Sequence, residues 1–187
     1  MHKDENIALV KKCIQGDRQA MSLLVSQYQR PVFNAAYRIL GNVDDAADAT
    51  QTVFLKVFEH ITDYDQKFKF FSWVYRIAIN ESLNQVKKRR AQESLDDSQA
   101  SPWQGPAEEL DSGRLCKKVQ GALMLLSDEY RTVVVLKHMS GCSYQQISEI
   151  LQIPEKTVKS RLYSARQLMK KTLISDEINP KGYLKSE

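Results

Sequence analysis

No run in this 187-residue chain approaches the roughly 18 consecutive apolar residues that a membrane span needs, so no span is expected. The opening MHKDENIALVKK has no apolar h-region, and no secretory signal is expected either. Three cysteines (Cys13, Cys116 and Cys142) stand far apart with no CxxC pair, which argues against a disulfide framework and a cysteine-only zinc site. Glycine and proline number only 12 together, too few for a fibrous or low-complexity chain. Enzyme signatures are missing as well: no GxxxxGKS/T, GxSxG or HExxH occurs, and His2, His60 and His138 are scattered. No catalytic residue, metal or cofactor is expected. The reading is a reduced, cytoplasmic globular protein without enzymatic activity.

Lysine and arginine are absent from residues 91–113, and that gap organises the charge. The net charge of +4 conceals a neutral stretch over 1–70, a strongly basic one over 71–90, an acidic one over 91–113 and a basic one from 114 onward. Basic blocks separated by an acidic one point to nucleic acid or another anionic partner. An unevenly charged solvated surface would look the same. The acidic stretch, AQESLDDSQASPWQGPAEELDSG, has two prolines, two glycines, four serines and no sustained apolar period, so it reads as a linker. The chain then divides into an N-terminal body over 1–90, the linker over 91–113, a second body over 114–172 and a tail over 173–187.

The rest reads as helix. Ile7, Val10 and Ile14 make one stripe that Gly16 stops. Asp17 is a natural cap for the next helix, with Ala20, Leu23, Leu24 and Tyr28 as its stripe. Pro31 fits the first turn of a further helix, which Gly41 ends. Asp44 is the expected cap of a helix carrying Phe54 and Phe58, and Ser72 the expected start of one running into Lys87-Lys88-Arg89-Arg90. Val133-Val134-Val135 is the best strand candidate, but it lies between a cap at Ser127 and a stop at Gly141 and is assigned to helix. Ser143 with Gln146 has the pattern of a capping box, Pro154 forces a break, and Val158, Leu162 and Ala165 repeat at helical spacing. A short helix, a tight turn and a second helix with a basic outer face make a helix-turn-helix.

Three constellations are candidate sites. The outer face of the second helix offers Lys156, Lys159, Ser160, Tyr163 and Arg166, with Arg161 at the flank. Cations there neutralise phosphates or read guanine edges, and tyrosine packs on a thymine methyl; a solvated amphipathic helix is the plainer explanation. Tyr64, Phe68, Phe70, Phe71, Trp73 and Tyr75 crowd together with Lys67, Lys69 and Arg76. Aromatics interleaved with cations suit unstacked bases, although the same aromatics could be the core of a small domain. Asp44, Asp45, Asp48 and Gln51 suit a protein partner, or simply favour a helix N-terminus.

These segments stand in a recognisable order. GNVDDAADATQTVF (41–54), FSWVYRIAIN (71–80) and LSDEYRTVVVLKHMSGCSYQQISEILQIPEKTVKSRLYSAR (126–166) resemble successive parts of a bacterial RNA polymerase sigma factor of the extracytoplasmic-function (ECF) group, sigma-E-like, over about residues 5–172. The resemblance implies an all-α fold of two small helical domains, a region 2 bundle and a region 4 helix-turn-helix, joined by a flexible acidic linker. It implies an alternative sigma factor that binds core RNA polymerase, through the beta-prime clamp helices and the beta flap, and promoter DNA, under the control of an anti-sigma factor. Asp45, Asp48, Gln51 and Phe54 then match polymerase-binding positions. Tyr64, Phe68, Phe70, Phe71, Trp73, Arg76, Asn80, Lys87 and Lys88 match the part that recognises and melts the minus-ten element. Lys156, Thr157, Lys159, Ser160, Arg161, Tyr163 and Arg166 match the reader of the minus-thirty-five element. Ala47 and Thr52 depart from the pattern, standing where the family usually has acids; Lys156 stands where glycine is common, and Ser164 where some relatives have arginine. Two alternatives compete: a polymerase-independent helix-turn-helix regulator, and a small helical enzyme or RNA-binding adaptor.

Overall fold

The computed structural model describes residues 3–93 and 111–178; most of the expected linker and the last nine residues lie outside them. Eight α-helices make up the described chain: α1 (Lys3–Ile14), α2 (Arg18–Leu40), α3 (Val43–Glu59), α4 (Phe70–Glu93), α5 (Asp111–Met124), α6 (Asp128–Val134), α7 (Tyr144–Leu151) and α8 (Glu155–Ile178). A 3-10 turn (Ile61–Asp63) follows α3, and a π-helical turn (Val135–Met139) extends α6. No strand occurs among the described residues, and no described helix is long and apolar enough to cross a membrane.

The local signals act largely as their chemistry requires. Asp17 caps α2 by accepting from the amides of Gln19 (2.9 Å) and Ala20 (3.1 Å). Gly41 ends α2 at φ +75°, its N–H donating to the Tyr37 carbonyl at 2.8 Å. Three expectations shift. Pro31 lies inside α2 rather than opening a new helix. Its missing N–H costs one backbone bond, while a buried stripe of Leu24, Tyr28, Val32, Ala35, Ala36 and Ile39 carries the helix across it. The cap of α3 is Asn42, whose side chain accepts from the Asp45 amide at 3.0 Å; Asp44 and Asp45 occupy the first turn behind it. Phe70, not Ser72, opens α4, and Ser72 is buried within it. The Val133–Val135 run is helical, in α6 and the π turn.

Two cores hold the molecule. The first joins α1, the N-terminal half of α2, the C-terminal half of α3 and the start of α4 through Val10, Leu24, Tyr28, Val53, Val57, Phe70 and Val74. The second begins between α2, α3 and α4 at Ile39, Ala46, Tyr75 and Ile79, and continues without a break into α5–α8 at Leu123, Leu136, Ile147, Val158 and Leu162. The halves of the chain thus share apolar interior.

Polar groups cross the same boundary. Gln120 of α5, 1% exposed, donates to the carbonyls of Tyr37 and Arg38 (3.4 Å each) and accepts from the Arg38 guanidinium at 3.0 Å. Arg131 of α6, 4% exposed, donates to the carbonyls of Leu123, Met124 and Leu126 at the end of α5 and to that of Ile39 at the end of α2 (2.8–3.0 Å). One buried cation therefore satisfies the orphan carbonyls of two helix ends.

Candidate nucleic-acid interface

The helix-turn-helix is built from its caps outward. Ser143 accepts from the Gln146 amide at 3.1 Å, and the Gln146 side chain accepts from the Ser143 amide at 2.8 Å, closing the capping box of α7. Gln152 ends α7 in the left-handed region (φ 53°), with its N–H donating to the Ser148 carbonyl. The Ser148 hydroxyl donates to the Ile153 carbonyl, which braces the turn before Pro154. Val158, Leu162 and Ala165 turn inward and are fully buried, which points the opposite face of α8 outward. On that face Lys156, Lys159, Ser160, Tyr163 and Arg166 are exposed, Tyr163 at 67%. Thr157 and Arg161 are half-buried at its margins, and Arg161 pairs with Glu129 at 3.0 Å. Arg166 donates to the His138 ring at 3.3 Å. Burial, then the nearby Arg166 and Lys137 charges, lowers the pKa of His138, which favours the neutral ring that this bond needs.

The aromatic segment sorts itself by burial. Tyr64 and Phe70 are core, in edge-on contact at 5.1 Å, and half-buried Trp73 packs on both. The Tyr64 hydroxyl donates to the Phe68 carbonyl at 2.7 Å, and the Phe68 amide donates to the Asp65 carbonyl at 3.1 Å. This small turn leaves the Phe68 ring 42% exposed, the most open aromatic of the cluster. Phe71 is half-buried and stacks on Tyr75 at 4.2 Å. Asn80, Lys87 and Lys88 are exposed along α4, and Arg76 is half-buried. A cavity of about 290 Å³ opens beside the segment, lined by Lys69, Phe70 and Phe71 on one side and Ser140, Gly141 and Gln146 on the other.

Asp48 and Gln51 are exposed on α3, while Asp45 is half-buried and pairs with Arg89 at 3.5 Å. Phe54 is 7% exposed and belongs to the first core, so it offers no surface; Leu55, 64% exposed, occupies the face with Asp48 and Gln51. Lys88, expected against DNA, lines a polar groove with Asp45 and Asp48, so cationic and acidic candidates lie side by side. Sequence reading left Leu55 out of the polymerase-binding positions, because it lies only one residue, a 100° step, from Phe54. It also missed Arg131 and Gln120, because a single polar residue among apolar ones carries no sign of which carbonyls it will meet. No cluster of metal-ligating side chains occurs among the described residues.

Comparison with known proteins agrees with this architecture. The profile described as Sigma-70 region 2 matches residues 24–92, and that described as Sigma-70, region 4 matches 116–169. The chain is 32% identical over 177 residues to the ECF RNA polymerase sigma factor SigW of Bacillus subtilis, covering 88% of this chain and 94% of that protein. It is 30% identical to the ECF RNA polymerase sigma-E factor of Haemophilus influenzae, covering 87% and 92%. Among solved structures, CnrH in complex with the cytosolic domain of CnrY superposes with a TM-score of 0.71 at 22% identity, covering 90% of this chain and 97% of that one. RpoE of Bartonella quintana, in complex with the anti-sigma factor NepR, superposes with a TM-score of 0.70 at 24% identity, covering 83% and 97%.

Proposed function

The chain belongs to the extracytoplasmic-function group of RNA polymerase sigma factors, and on that footing we propose the part each surface plays. As a member of that group it binds core RNA polymerase and directs promoter-specific initiation. We assign reading of the minus-thirty-five element to α8, through Lys156, Lys159, Ser160, Tyr163 and Arg166, with Thr157 and Arg161 bracing the edges. The single observation that supports this best is the exposed basic row on a helix whose other face is wholly buried. Minus-ten recognition and melting fall to Phe68, Phe71, Arg76 and Asn80, with Tyr64, Phe70 and Trp73 as the aromatic base that positions them, and Lys87 and Lys88 on the phosphates. Polymerase contact falls to Asp48 and Gln51, with Asp45 behind them and Leu55 supplying the apolar contact in place of Phe54.

The physical division of labour follows. The factor supplies recognition and forms no bond itself, which is the role of polymerase. Extruding a base costs a few kcal/mol, and stacking it on an aromatic returns about 1–3 kcal/mol. Melting therefore needs polymerase contacts in addition, and the free protein binds promoters weakly. The chain acts in the cytoplasm, where polymerase is. Control by an anti-sigma factor is inferred from the NepR complex of the structurally similar Bartonella protein.

Run-off transcription with core polymerase on fragmented genomic DNA, with and without the protein, tests the role. New discrete starts that require the protein are expected. Duplex footprints by the protein alone, with no new starts, would favour a polymerase-independent regulator.

A further inference from the structure

We propose that His138 is a positioning residue of the helix-turn-helix: from the π turn ahead of α7 it holds the Arg166 side chain of α8 in the pose that meets the minus-thirty-five element. The inference rests on the assignment of Arg166 to that element made above. The two residues are 28 apart in the chain and both are exposed. Yet the Nε and the Nη2 of Arg166 each stand 3.3 Å from the Nε2 of the ring. A guanidinium only donates, so Nε2 accepts and the ring proton is on Nδ1. One edge of the guanidinium is thereby occupied. Of its five N–H groups, the three on the far side remain. They include the parallel pair, one from each Nη, that grips a phosphate or a guanine edge. The histidine takes the edge that DNA does not need and leaves the fork that it does.

The support behind His138 is rigid. Val135 and Leu136, fully buried, root the π turn in the second core. The amides of Ser140 and Cys142 donate back to the carbonyls of Val135 and Leu136 (3.0 and 2.9 Å), which closes the turn. Lys137 fixes its other side: Nζ donates to the Cys142 carbonyl at 3.2 Å and stands 4.7 Å from the centre of the Tyr144 ring on α7. Single π turns recur at functional sites. The charges facing the ring, Arg166 from α8 and Lys137 from its own turn, both favour the neutral form, which is the form that accepts. A carboxylate in its place would cancel the Arg166 charge in front of the DNA phosphates; a neutral imidazole orients that charge and leaves it intact. An exposed arginine with no such partner samples many rotamers, and fixing one at an interface costs about two- to twelvefold in affinity. His138 meets that cost before DNA arrives.

The test uses holoenzyme assembled from core polymerase and the full chain, on a labelled promoter found by the run-off experiment, with affinity measured across a salt series. His138→Ala should weaken binding about two- to twelvefold without changing the salt slope, because the Arg166 charge remains. Arg166→Ala should weaken binding and reduce the magnitude of the slope by about one. His138→Gln sets Oε1 near the position of Nε2, where it accepts from the same guanidinium edge, and should restore wild-type affinity. His138→Ala added to Arg166→Ala should cost nothing more. Circular dichroism checks that the variants, at exposed positions, keep their helix content. Wild-type binding by His138→Ala, a slope reduced by His138→Ala, no rescue by His138→Gln, or an equal loss with and without Arg166 would each overturn the proposal and leave the α8 assignments standing. No run-off starts, or wild-type binding by Arg166→Ala, would instead remove the minus-thirty-five role of Arg166, and the proposal with it.

Discussion

Phe68 and Phe70 are two residues apart and have opposite tasks. The Tyr64–Phe68 and Phe68–Asp65 bonds hold the Phe68 ring out, whereas Phe70 fills the space between Tyr28, Tyr64 and Trp73. Phe70→Ala is expected to cost about 3–5 kcal/mol, as for a buried aromatic, measured by urea unfolding. Phe68→Ala should cost less than about 0.5 kcal/mol yet reduce promoter opening, read as permanganate reactivity of unpaired thymines. Aromatic spacing alone shows that three such rings within four residues cannot share one helix face. It does not show which ring leaves the core, because that is decided by a hydroxyl-to-carbonyl bond from Tyr64. His138 gives a second residue-scale test. Its pKa is lowered in the fold, so its contribution to stability is complete above the ordinary value of about 6.5 and lost as pH falls below that towards the folded value. Nuclear magnetic resonance titration should find its midpoint below 6.5, and Arg166→Ala should move it up by removing one of the charges that hold it down.

Among the elements, α7 and α8 were the most legible, because their signals are local: a serine three residues before a glutamine, a proline after a helix end, and apolar residues at i, i+4 and i+7. Ser143→Ala is expected to cost about 1 kcal/mol in thermal or urea unfolding, and with it the fixed approach of α7 to α8. Elements whose limits depend on distant contacts were read less well. The boundary expected at Pro31 disappears because one lost backbone bond is outweighed by six buried side chains along α2. The α3 cap moves from Asp44 to Asn42 because two residues two positions apart have equivalent capping chemistry and only backbone geometry chooses between them. Phe54 and Leu55, adjacent on α3, lie on opposite sides of the burial boundary, a 100° rotation that a sequence stripe resolves poorly.

At the scale of the whole molecule, the two basic blocks visible in the sequence fall on α4 and on the stretch from α5 to α8, and their joint action on DNA has a measurable signature. If about six phosphates are neutralised in the holoenzyme, the logarithm of promoter affinity should fall against the logarithm of salt with a slope of about −5; a slope near zero would remove the electrostatic argument. How the blocks are arranged was not legible. An acidic, proline-containing linker says that two bodies are joined, not whether they touch, and the groups that join them, Gln120 and Arg131, have no periodic signature. Their effect extends beyond recognition to the way the chain comes apart. Because the second core passes through both halves, neither can lose its packing without exposing apolar surface of the other. Calorimetry of the free protein should therefore give one cooperative heat-absorption peak, and cleaving the chain between Glu93 and Asp111 should lower its midpoint rather than split it in two.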